Sequence, residues 1–372
     1  MKVLHICQRD DLATGGAARV AIELTRVLPP FGIDAHCLFV YGKPGAFSAE
    51  LPDRTRHLGL TSSRKGLKGL GALRRMVVEE NFDVVHHHDG LIWTHLATRS
   101  TGGIRRVGHA HLSPPDQGGT LRNRFSHGLQ IGTYDRLVAV STDTQADWIA
   151  SGFPERQSIV IPNGVDLNRF HPARPEVRHA VRSNWGLREM DKAVGFVGRL
   201  DSEMKGCREF VDLIAALPGS FFGVMAGDGP DRSNLETYAR DSGVASRLRF
   251  LGMVDPALLV YPGLDVFVMT SRYEPFGLVL LEAAASGVPI AMIPGSGGSM
   301  KLADRLGAWI LPDRSSECFA AAVESLASKE TARGRQVGKE VLKTFSWERA
   351  ADSLSKLYLE LFAPSSESFS PP

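Results

Sequence analysis

Short apolar runs alternate with amphipathic helical segments along almost the whole of this 372-residue chain. In the first half, the predicted strands are Val3–Cys7, Asp34–Val40, Val84–His87, Arg106–His109 and Leu137–Val140. In the second half, they are Ala193–Gly198, Phe221–Ala226, Leu248–Leu251, Val266–Thr270 and Val288–Ile293. Strands separated by helices are joined by crossover connections, which favour parallel sheets covered on both faces. The pattern therefore predicts an α/β chain with two Rossmann-like domains that face each other across a cleft.

A proline-containing segment, residues 168–176, separates the two series and is typical of a linker. We therefore place the first domain at residues 1–168 and the second at residues 169–346. A last amphipathic helix, predicted at residues 347–362, has an apolar stripe that could cover either domain, and we expect it to cross back to the first. Residues 363–372 are expected to form a disordered tail.

The composition argues against several functional classes. A formal net charge of +2 gives no reason to expect a nucleic-acid partner. No apolar run approaches the roughly 20 residues of a membrane helix, and the N-terminal strand runs directly into polar residues without the apolar core of a signal peptide. The 4 cysteines show no C-x-x-C spacing. We therefore expect a cytoplasmic protein with reduced thiols.

Two carboxylates, Glu274 and Glu282, flank a Pro-Phe-Gly turn. Because a predicted strand ends at Thr270 and a helix is predicted at residues 277–286, Glu274 should lie on the connecting loop and Glu282 within the helix. The N-terminus of that helix offers unpaired N–H groups and a positive dipole end, which suit a phosphate. In an open α/β sheet, this crevice is where ligands bind. The alternative is an ordinary helix with one acid near its start and another on its exposed face.

Two cations, Arg199 and Lys205, follow the first strand of the second series. Both should lie on a glycine-containing loop at the carboxyl end of that strand, where a helix begins. Charge-assisted hydrogen bonds from two fixed cations suit a diphosphate, at roughly 1.5–3 kcal/mol for each bond. The alternative is a solvated basic loop.

Paired glycines open two further strand-to-helix connections. Gly15 and Gly16 precede the first predicted helix, and Gly227 and Gly229 follow the second strand of the second series. Such loops can present backbone N–H groups to a phosphate or a sugar, but glycines also serve simple tight turns. Neither loop has the G-x-G-x-x-G spacing, which argues against a nicotinamide cofactor.

Six histidines lie between positions 86 and 111, and five of them lie at or just after the ends of two predicted strands of the first half. A zinc site would use such residues, but helical H-E-x-x-H and zinc-finger spacings are both absent, so we predict no metal. Imidazole can hydrogen-bond sugar hydroxyls or donate to a developing charge, and it titrates near neutral pH. One or two of these histidines are expected to be functional, and the others to satisfy strand ends.

Residues 64–75 mix apolar and cationic side chains, among them Arg64 and Lys68, and contain no acid. Such a segment can lie at an anionic membrane surface. It would suit a phosphorylated or otherwise anionic acceptor equally well, and the alternative to both is a solvated helix or loop.

Taken together, these segments resemble the retaining glycosyltransferases of family 4, which have the GT-B fold. The resemblance rests on the order of seven pieces: Gly15-Gly16, His111, Asn163-Gly-Val-Asp166, Gly198-Arg-Leu with Lys205-Gly206, Gly227-Asp-Gly-Pro230, Glu274-x7-Glu282 and Phe345-Ser-Trp347. Single pieces are common, but their joint order is specific. The E-x7-E motif in its Glu-Pro-Phe-Gly context is the most specific of them.

The resemblance implies that the second domain binds most of a nucleotide-sugar donor. Arg199 and Lys205 would then hold the diphosphate, and Glu282 would hydrogen-bond the ribose. Glu274 would hold the donor sugar together with the backbone of two neighbours, Phe276 and Gly277. Met253 would lie close to the base.

The resemblance also implies that the first domain binds most of an acceptor. Gly15 and Gly16 would close on the donor from this domain, and His111 would lie beside the reacting carbon. The remaining acceptor-side candidates are His88, His109, Arg64 and Lys68.

The implied reaction moves a sugar to an acceptor hydroxyl, with retention of configuration and without a metal or other cofactor. The catalytic candidates are His111, Glu274, Arg199 and Lys205. The partners would be a nucleotide sugar and a glycan, lipid-linked or small-molecule acceptor, with peripheral membrane contact as an open alternative. Two other functions stay open: a nucleotide-sugar epimerase of the same architecture, and a nucleotide-sugar-binding protein without turnover.

Overall fold

A computed structural model describes residues 1–11, 15–60, 66–88, 91–99, 101–114, 127–328 and 339–363. The chain divides into two compact units. The first unit comprises residues 1–162 and the chain from residue 347 onward, and the second comprises residues 163–346. The predicted tail from residue 364 onward lies outside the described residues.

The first unit contains a seven-stranded parallel sheet with the order β3-β2-β1-β4-β5-β6-β7. Its strands are β1 Lys2–Arg9, β2 Asp34–Tyr41, β3 Thr55–Leu60, β4 Val84–His87, β5 Arg105–Ala110, β6 Arg136–Ala139 and β7 Ser158–Val160. Along the chain, β2 and β3 lie in order on one side of β1, and β4 to β7 lie in order on the other side. The strand order therefore reverses between β1 and β4, as in doubly wound folds.

In the described part of the first unit, the α-helices before its last strand are α1 Gly16–Val27, α2 Ala46–Glu50, α3 Gly66–Glu79, α4 Ile92–Arg99 and α5 Thr142–Ala150. Strands β1 and β2 are buried along most of their length, which explains their near-continuous apolar sequence. Helix α1 places Ala18 and Ile22 against Phe39 of β2 in one apolar cluster.

The second unit contains a six-stranded parallel sheet with the order β10-β9-β8-β11-β12-β13. Its strands are β8 Lys192–Val197, β9 Phe221–Ala226, β10 Leu248–Gly252, β11 Val266–Met269, β12 Ile290–Met292 and β13 Trp309–Ile310. The strand order reverses here between β8 and β11. The two sheets confirm the prediction of two Rossmann-like α/β domains.

The described α-helices of the second unit are α6 Pro175–Asn184, α7 Ser202–Lys205, α8 Cys207–Ala216, α9 Arg232–Asp241, α10 Pro256–Leu259, α11 Leu278–Ala285, α12 Ser299–Arg305, α13 Ser316–Leu326 and α14 Lys339–Lys343. Its core gathers apolar residues of β8, β9 and β11 with those of α8 and α13. Pro175 is the first residue of α6, a position that tolerates proline because its N–H has no partner in the helix. The proline that indicated a linker therefore begins a helix.

The last helix, α15 Trp347–Glu360, belongs to the first unit and contacts α1. It buries Leu354 and Leu357 completely or nearly so, at 0% and 3% exposure. The predicted apolar stripe is thus the packed face of this helix. Among the described helices, none has both the length and the apolar composition needed to cross a membrane.

Candidate active site

In the second unit, the predicted donor-side residues lie at the carboxyl edge of the sheet, where the strand order reverses. Arg199 and Lys205 lie on the segment after β8, and Glu274 lies on the segment after β11. Because β8 and β11 are parallel neighbours, these two segments leave the sheet side by side. Open α/β sheets bind their ligands in this crevice.

Contacts of the Lys205 backbone with Thr270 fix the position of this residue. It ends the short helix α7, and its carbonyl oxygen accepts a hydrogen bond from Thr270 Oγ1 at 2.8 Å. Gly206 follows with φ of 64°, and a Cβ there would lie 2.2 Å from the carbonyl oxygen of Thr270. Only glycine allows both this backbone conformation and this close approach, so Gly206 fixes Lys205 against the end of β11.

Glu274 forms an ion pair with Lys205, which joins the two segments. The exposed fractions of the two side chains are 22% for Lys205 and 16% for Glu274, so the pair is largely shielded from water. The backbone of Glu274 is also fixed: its N–H donates to the carbonyl oxygen of Ser296 at 2.9 Å, and its carbonyl oxygen accepts from the N–H of Ser299 at 3.2 Å. The carboxylate therefore has a defined position before any ligand binds.

Arg199 differs from Lys205 in its surroundings. Its side chain is exposed, and no carboxylate in the described part of the chain lies within ion-pair distance of it. An uncompensated guanidinium at the carboxyl edge of the sheet can receive an anion without first breaking a salt bridge.

Close backbone packing explains why residues 227 and 229, after β9, are glycines. A Cβ on Gly227 would lie 1.9 Å from the carbonyl oxygen of Gly198, and one on Gly229 would lie 2.3 Å from that of Leu200. The Leu200 N–H also donates to the carbonyl oxygen of Asp228 at 3.0 Å. These glycines therefore pack the turn against the segment that carries Arg199, which accounts for them without a ligand.

Glu282 lies four residues after the first residue of α11, and its side chain is only partly exposed. Its Oε2 accepts a hydrogen bond from the hydroxyl of Tyr261 at 2.9 Å. Burial, and then the negative charge of Glu282, raises the pKa of Tyr261 well above its usual value, so the phenol stays a donor. Tyr261 thereby fixes the direction of the Glu282 carboxylate.

The remaining donor-side candidates lie on the same edge. Gly277 has φ of 91° and precedes α11, and the ring of Phe276 is buried against Phe345, with 6.4 Å between ring centroids. Met253 follows β10 and is 42% exposed. Phe276 can therefore offer only its backbone to a ligand, whereas Met253 offers its side chain.

In the first unit, five histidines converge at the carboxyl edge of the sheet: His5, His86, His88, His109 and His111. They come from β1, β4 and β5 or directly follow the last two, and His5 and His86 are register partners in the β1–β4 pair. The rings of His109 and His111 stack with 4.3 Å between centroids and 9° between planes. The predicted candidates His88, His109 and His111 are thus brought together.

Hydrogen bonds connect most of these rings. His88 Nε2 lies 2.9 Å from His5 Nδ1, and His88 Nδ1 lies 2.9 Å from His111 Nε2. His86 Nδ1 lies 2.5 Å from the hydroxyl of Tyr358 on α15. Among the described residues, neither nitrogen of His109 has a hydrogen-bond partner.

Burial keeps the cluster neutral. It lowers the pKa of His5 and of His111 to about 3. Burial, followed by the neighbouring imidazoles, lowers the pKa of His86, His88 and His109 well below the usual histidine value. Each ring therefore carries one N–H donor and one acceptor nitrogen at neutral pH.

Two groups of three rings have nitrogens within 4.8 Å of one another, namely His5 with His86 and His88, and His88 with His109 and His111. Within the described ranges, these two groups are the ones whose ligand atoms lie close enough to hold a metal ion. In both groups, however, His88 directs its nitrogens at other rings in N–H···N contacts of 2.9 Å. Our expectation of no metal stays a prediction.

The other first-unit candidates are only partly described. Gly15 has φ of 86° and precedes α1, which begins at Gly16; both are exposed. Arg64 lies outside the described residues, and Lys68 lies in α3, but its side chain is not described. Later in the predicted basic segment, Arg74 is exposed on α3.

Three residues of these sites were missed by the sequence analysis: Tyr261, His5 and Tyr358. Tyr261 is 21 positions from Glu282, and Tyr358 is 272 positions from His86, so no local pattern indicates either contact. His5 does carry a signal, because a histidine within a buried apolar strand needs a polar partner.

Two family models match the chain. The model described as Glycosyl transferases group 1 matches residues 177–341, and the model described as Glycosyltransferase Family 4 matches residues 14–169. The matched ranges contain all the catalytic candidates, Arg199, Lys205 and Glu274 in the former and His111 in the latter.

Two relatives are described as D-inositol 3-phosphate glycosyltransferases. The protein from Mycobacteroides abscessus is 34% identical over 312 residues, which cover 77% of this chain and 68% of that protein. The protein from Corynebacterium glutamicum is 32% identical over 309 residues, which cover 76% of this chain and 73% of that protein. The chain thus spans about two thirds to three quarters of the length of these relatives.

A solved structure shares the fold. The crystal structure of Anabaena Alr3699/HepE in complex with UDP and glucose has a TM-score of 0.83 and covers 96% of this chain and 99% of its own. At 20% identity, this likeness establishes the architecture alone. Together with the family matches and the two relatives, it leads to one conclusion: the chain belongs to glycosyltransferase family 4 and is a glycosyltransferase with the two Rossmann-like domains of the GT-B fold.

Proposed function

We propose that this glycosyltransferase moves a sugar from a nucleotide-diphosphate sugar to an acceptor hydroxyl, with retention of configuration and without a metal ion. One observation carries the proposal: the Lys205–Glu274 pair lies at the strand-order reversal of the second sheet, between the segments after β8 and β11. A fixed cation and a fixed carboxylate beside the N-terminus of α11 suit the two halves of such a donor, its diphosphate and its sugar.

The electrostatics support a metal-independent reaction. When the glycosidic bond breaks, negative charge grows on the departing diphosphate, and cations already in place stabilise it without reorganisation. Arg199 is available to an anion at once, whereas the charge of Lys205 is balanced by Glu274 until a phosphate competes for it. Unpaired N–H groups and the dipole at the start of α11 add further positive potential.

Glu274 has a different role in the proposal. Once Lys205 turns to the phosphate, the fixed carboxylate can accept hydrogen bonds from sugar hydroxyls and orient the reacting carbon. We assign no covalent nucleophile, so retention would arise from attack on the face that the diphosphate leaves. The anomeric proton coupling of the first product, measured by NMR, tests this point: the opposite anomer would show inversion.

The relatives guide the choice of substrates. Because one solved neighbour was crystallised with UDP and glucose, we propose a uridine diphosphate sugar as the first donor to test. Because two relatives are described as D-inositol 3-phosphate glycosyltransferases, we propose phosphorylated cyclitols as the first acceptors to test, ahead of glycans and lipid-linked acceptors.

The nucleotide series can be tested by thermal shift. We expect one of UDP, GDP, ADP and dTDP, or its sugar conjugates, to raise the melting temperature in the presence of EDTA. A ligand at one hundred times its Kd adds about 2.7 kcal/mol to the free energy of unfolding, which is several degrees for a domain of this size.

A charge variant serves as the control for that measurement. Arg199→Ala should lose most of the nucleotide-induced shift while keeping its own melting temperature, because its side chain is exposed. A shift that appears only with added magnesium would contradict metal independence. No shift with any nucleotide, with or without magnesium, would contradict the donor site itself.

Removal of the Tyr261 hydroxyl should weaken donor binding. Tyr261→Phe deletes the hydrogen bond that directs the Glu282 carboxylate and leaves the buried ring in place. Hydrogen bonds to charged groups are worth roughly 1.5–3 kcal/mol, and water can replace part of this stabilisation because the Glu282 side chain is partly exposed. We expect the Kd for the nucleotide diphosphate, measured by calorimetry, to rise about tenfold. An unchanged Kd would separate Glu282 from the nucleotide.

A further inference from the structure

Three histidines of the first unit form a continuous hydrogen-bonded chain. His5 Nδ1 contacts His88 Nε2, and His88 Nδ1 contacts His111 Nε2, both at 2.9 Å. His5 is 0% exposed and His88 is 4% exposed, so the contact between them is shielded from water. Because a neutral imidazole has one donor and one acceptor, His88 must donate to one neighbour and accept from the other.

Only two proton arrangements satisfy both contacts. In the first, His5 donates to His88 and His88 donates to His111, so that His111 carries its own proton on Nδ1. In the second, His111 donates to His88 and His88 donates to His5, so that Nδ1 of His111 is a bare acceptor. The arrangement therefore decides whether His111 presents a hydrogen-bond donor or a base at Nδ1.

His5, at the end of the hydrogen-bonded chain opposite His111, distinguishes the two arrangements. His5 Nε2 is buried and has no partner among the described residues. In the first arrangement this nitrogen is a bare lone pair, and in the second it is an N–H. Among backbone groups, orphaned buried N–H groups are rarer than under-satisfied acceptors, and by the same preference we take the first arrangement, which leaves no orphaned N–H on His5, as the populated one.

We propose that His5 and His88 are positioning residues that hold His111 in its Nδ1–H tautomer, so that His111 acts as a hydrogen-bond donor to a substrate oxygen and not as a general base. The consequence for transfer rests on the proposed function, in which His111 serves the reacting centre. The tautomer itself does not depend on that function. Donation from Nδ1–H would stabilise negative charge on an oxygen without moving a proton.

The cluster supplies a matched control for the proton chain. His109 stacks on His111 with 4.3 Å between ring centroids, but forms no hydrogen bond to a described residue. His88→Phe and His109→Phe each keep an aromatic ring against His111, and only the first breaks the chain. A difference between the two variants therefore reports proton order and not packing.

Two-bond proton–nitrogen correlation spectra of the ¹⁵N-histidine-labelled protein at pH 7.5 read each tautomer directly. His111→Gln identifies the signals of His111. We expect the Nδ1–H form of His111 in the wild type and in His109→Phe, and a mixture of both forms in His88→Phe. If His88→Phe does not fold, His5→Phe breaks the same chain one ring further away and should also give a mixture.

Kinetics give a second measurement. His88→Phe should lower kcat about tenfold and leave the Kd for the nucleotide within twofold, whereas His127→Phe, at a buried histidine outside the cluster, should change neither. A wild-type His111 in the Nε2–H form, or the same tautomer in His88→Phe, would overturn the proposal. So would stoichiometric zinc in the purified protein, because its ligands would have to give up the N–H···N contacts.

Absence of transfer by the wild type would instead count against the proposed function and leave the tautomer result standing.

Discussion

Replacement of Lys205 by alanine should lower kcat for sugar transfer by about 10²–10³-fold, the usual cost of losing one fixed charge-stabilising group at a transition state. The expected loss is large because Lys205 cannot be replaced by a mobile neighbour. Its backbone is bound to Thr270, and Gly206 sets the close approach to β11. Rates measured with saturating donor would isolate this effect from binding.

The same substitution should also affect Glu274, and this distinguishes it from Arg199→Ala. Without Lys205, a carboxylate that is only 16% exposed loses its cation and faces the incoming diphosphate with a like charge. We therefore expect Lys205→Ala to weaken donor binding and to lower the melting temperature, and Lys205→Ala/Glu274→Gln to recover part of both. Arg199→Ala should reduce transfer at unchanged melting temperature.

A distant cation provides the reference for these variants. Arg240 lies on the exposed side of α9, so Arg240→Ala should leave kcat and the Kd for the donor unchanged. Wild-type rates for both Lys205→Ala and Arg199→Ala would show that the diphosphate binds elsewhere.

The sequence predicted which edge of each sheet carries the candidate residues, because that information is local. An apolar run indicates a parallel strand, and the residues after it must lie at its carboxyl end. Lys205 and Glu274 could be assigned to a common edge in this way. Their ion pair could not be predicted, because it spans 69 positions and depends on β8 and β11 being neighbours.

Local patterns also failed where a residue had two common uses. Pro175 indicated a linker but begins α6, because proline suits the first turn of a helix. Gly227 and Gly229 left open a ligand-binding loop or a tight turn, and only the approach to Gly198 and Leu200 shows that packing requires them. The contact between His5 and His88 spans 83 positions. It depends on the register of β1 against β4, which pairs His5 with His86 and so brings His88 near His5.

Acid should destabilise the first unit much more than the second. Burial lowers the pKa of His5 in the folded protein to about 3, whereas an unfolded histidine titrates near pH 6.5. The unfolded state therefore binds more protons as the pH falls below about 6.5, and stability present at pH 7 is lost toward the folded-state pKa. For His5 alone, the loss at pH 5 is about 2 kcal/mol, and His86 and His88 act in the same direction.

That loss is a large part of the roughly 5–15 kcal/mol by which a domain is stable. The two histidines of the second unit, His171 and His179, are both exposed, in contrast to the buried cluster of the first unit. Hydrogen exchange followed by mass spectrometry resolves the units by their peptides. Between pH 7 and pH 5, after correction for the intrinsic exchange rate, protection should fall in β1, β4 and β5 and persist in β8 and β11. Equal losses in both units would contradict this account.

His109→Phe should reverse part of the acid sensitivity and thereby identify its origin. Neither nitrogen of His109 has a partner among the described residues, and burial lowers its pKa well below the usual value. Phenylalanine fills a similar volume without a desolvated N–H group and without a proton to gain on unfolding, so the variant should be stabilised more at pH 5 than at pH 7. His179→Phe, at an exposed histidine outside the cluster, is the control and should have no such effect. A stability gain of equal size at both pH values would attribute the change to packing alone and would remove His109 from the groups that make the first unit acid-sensitive.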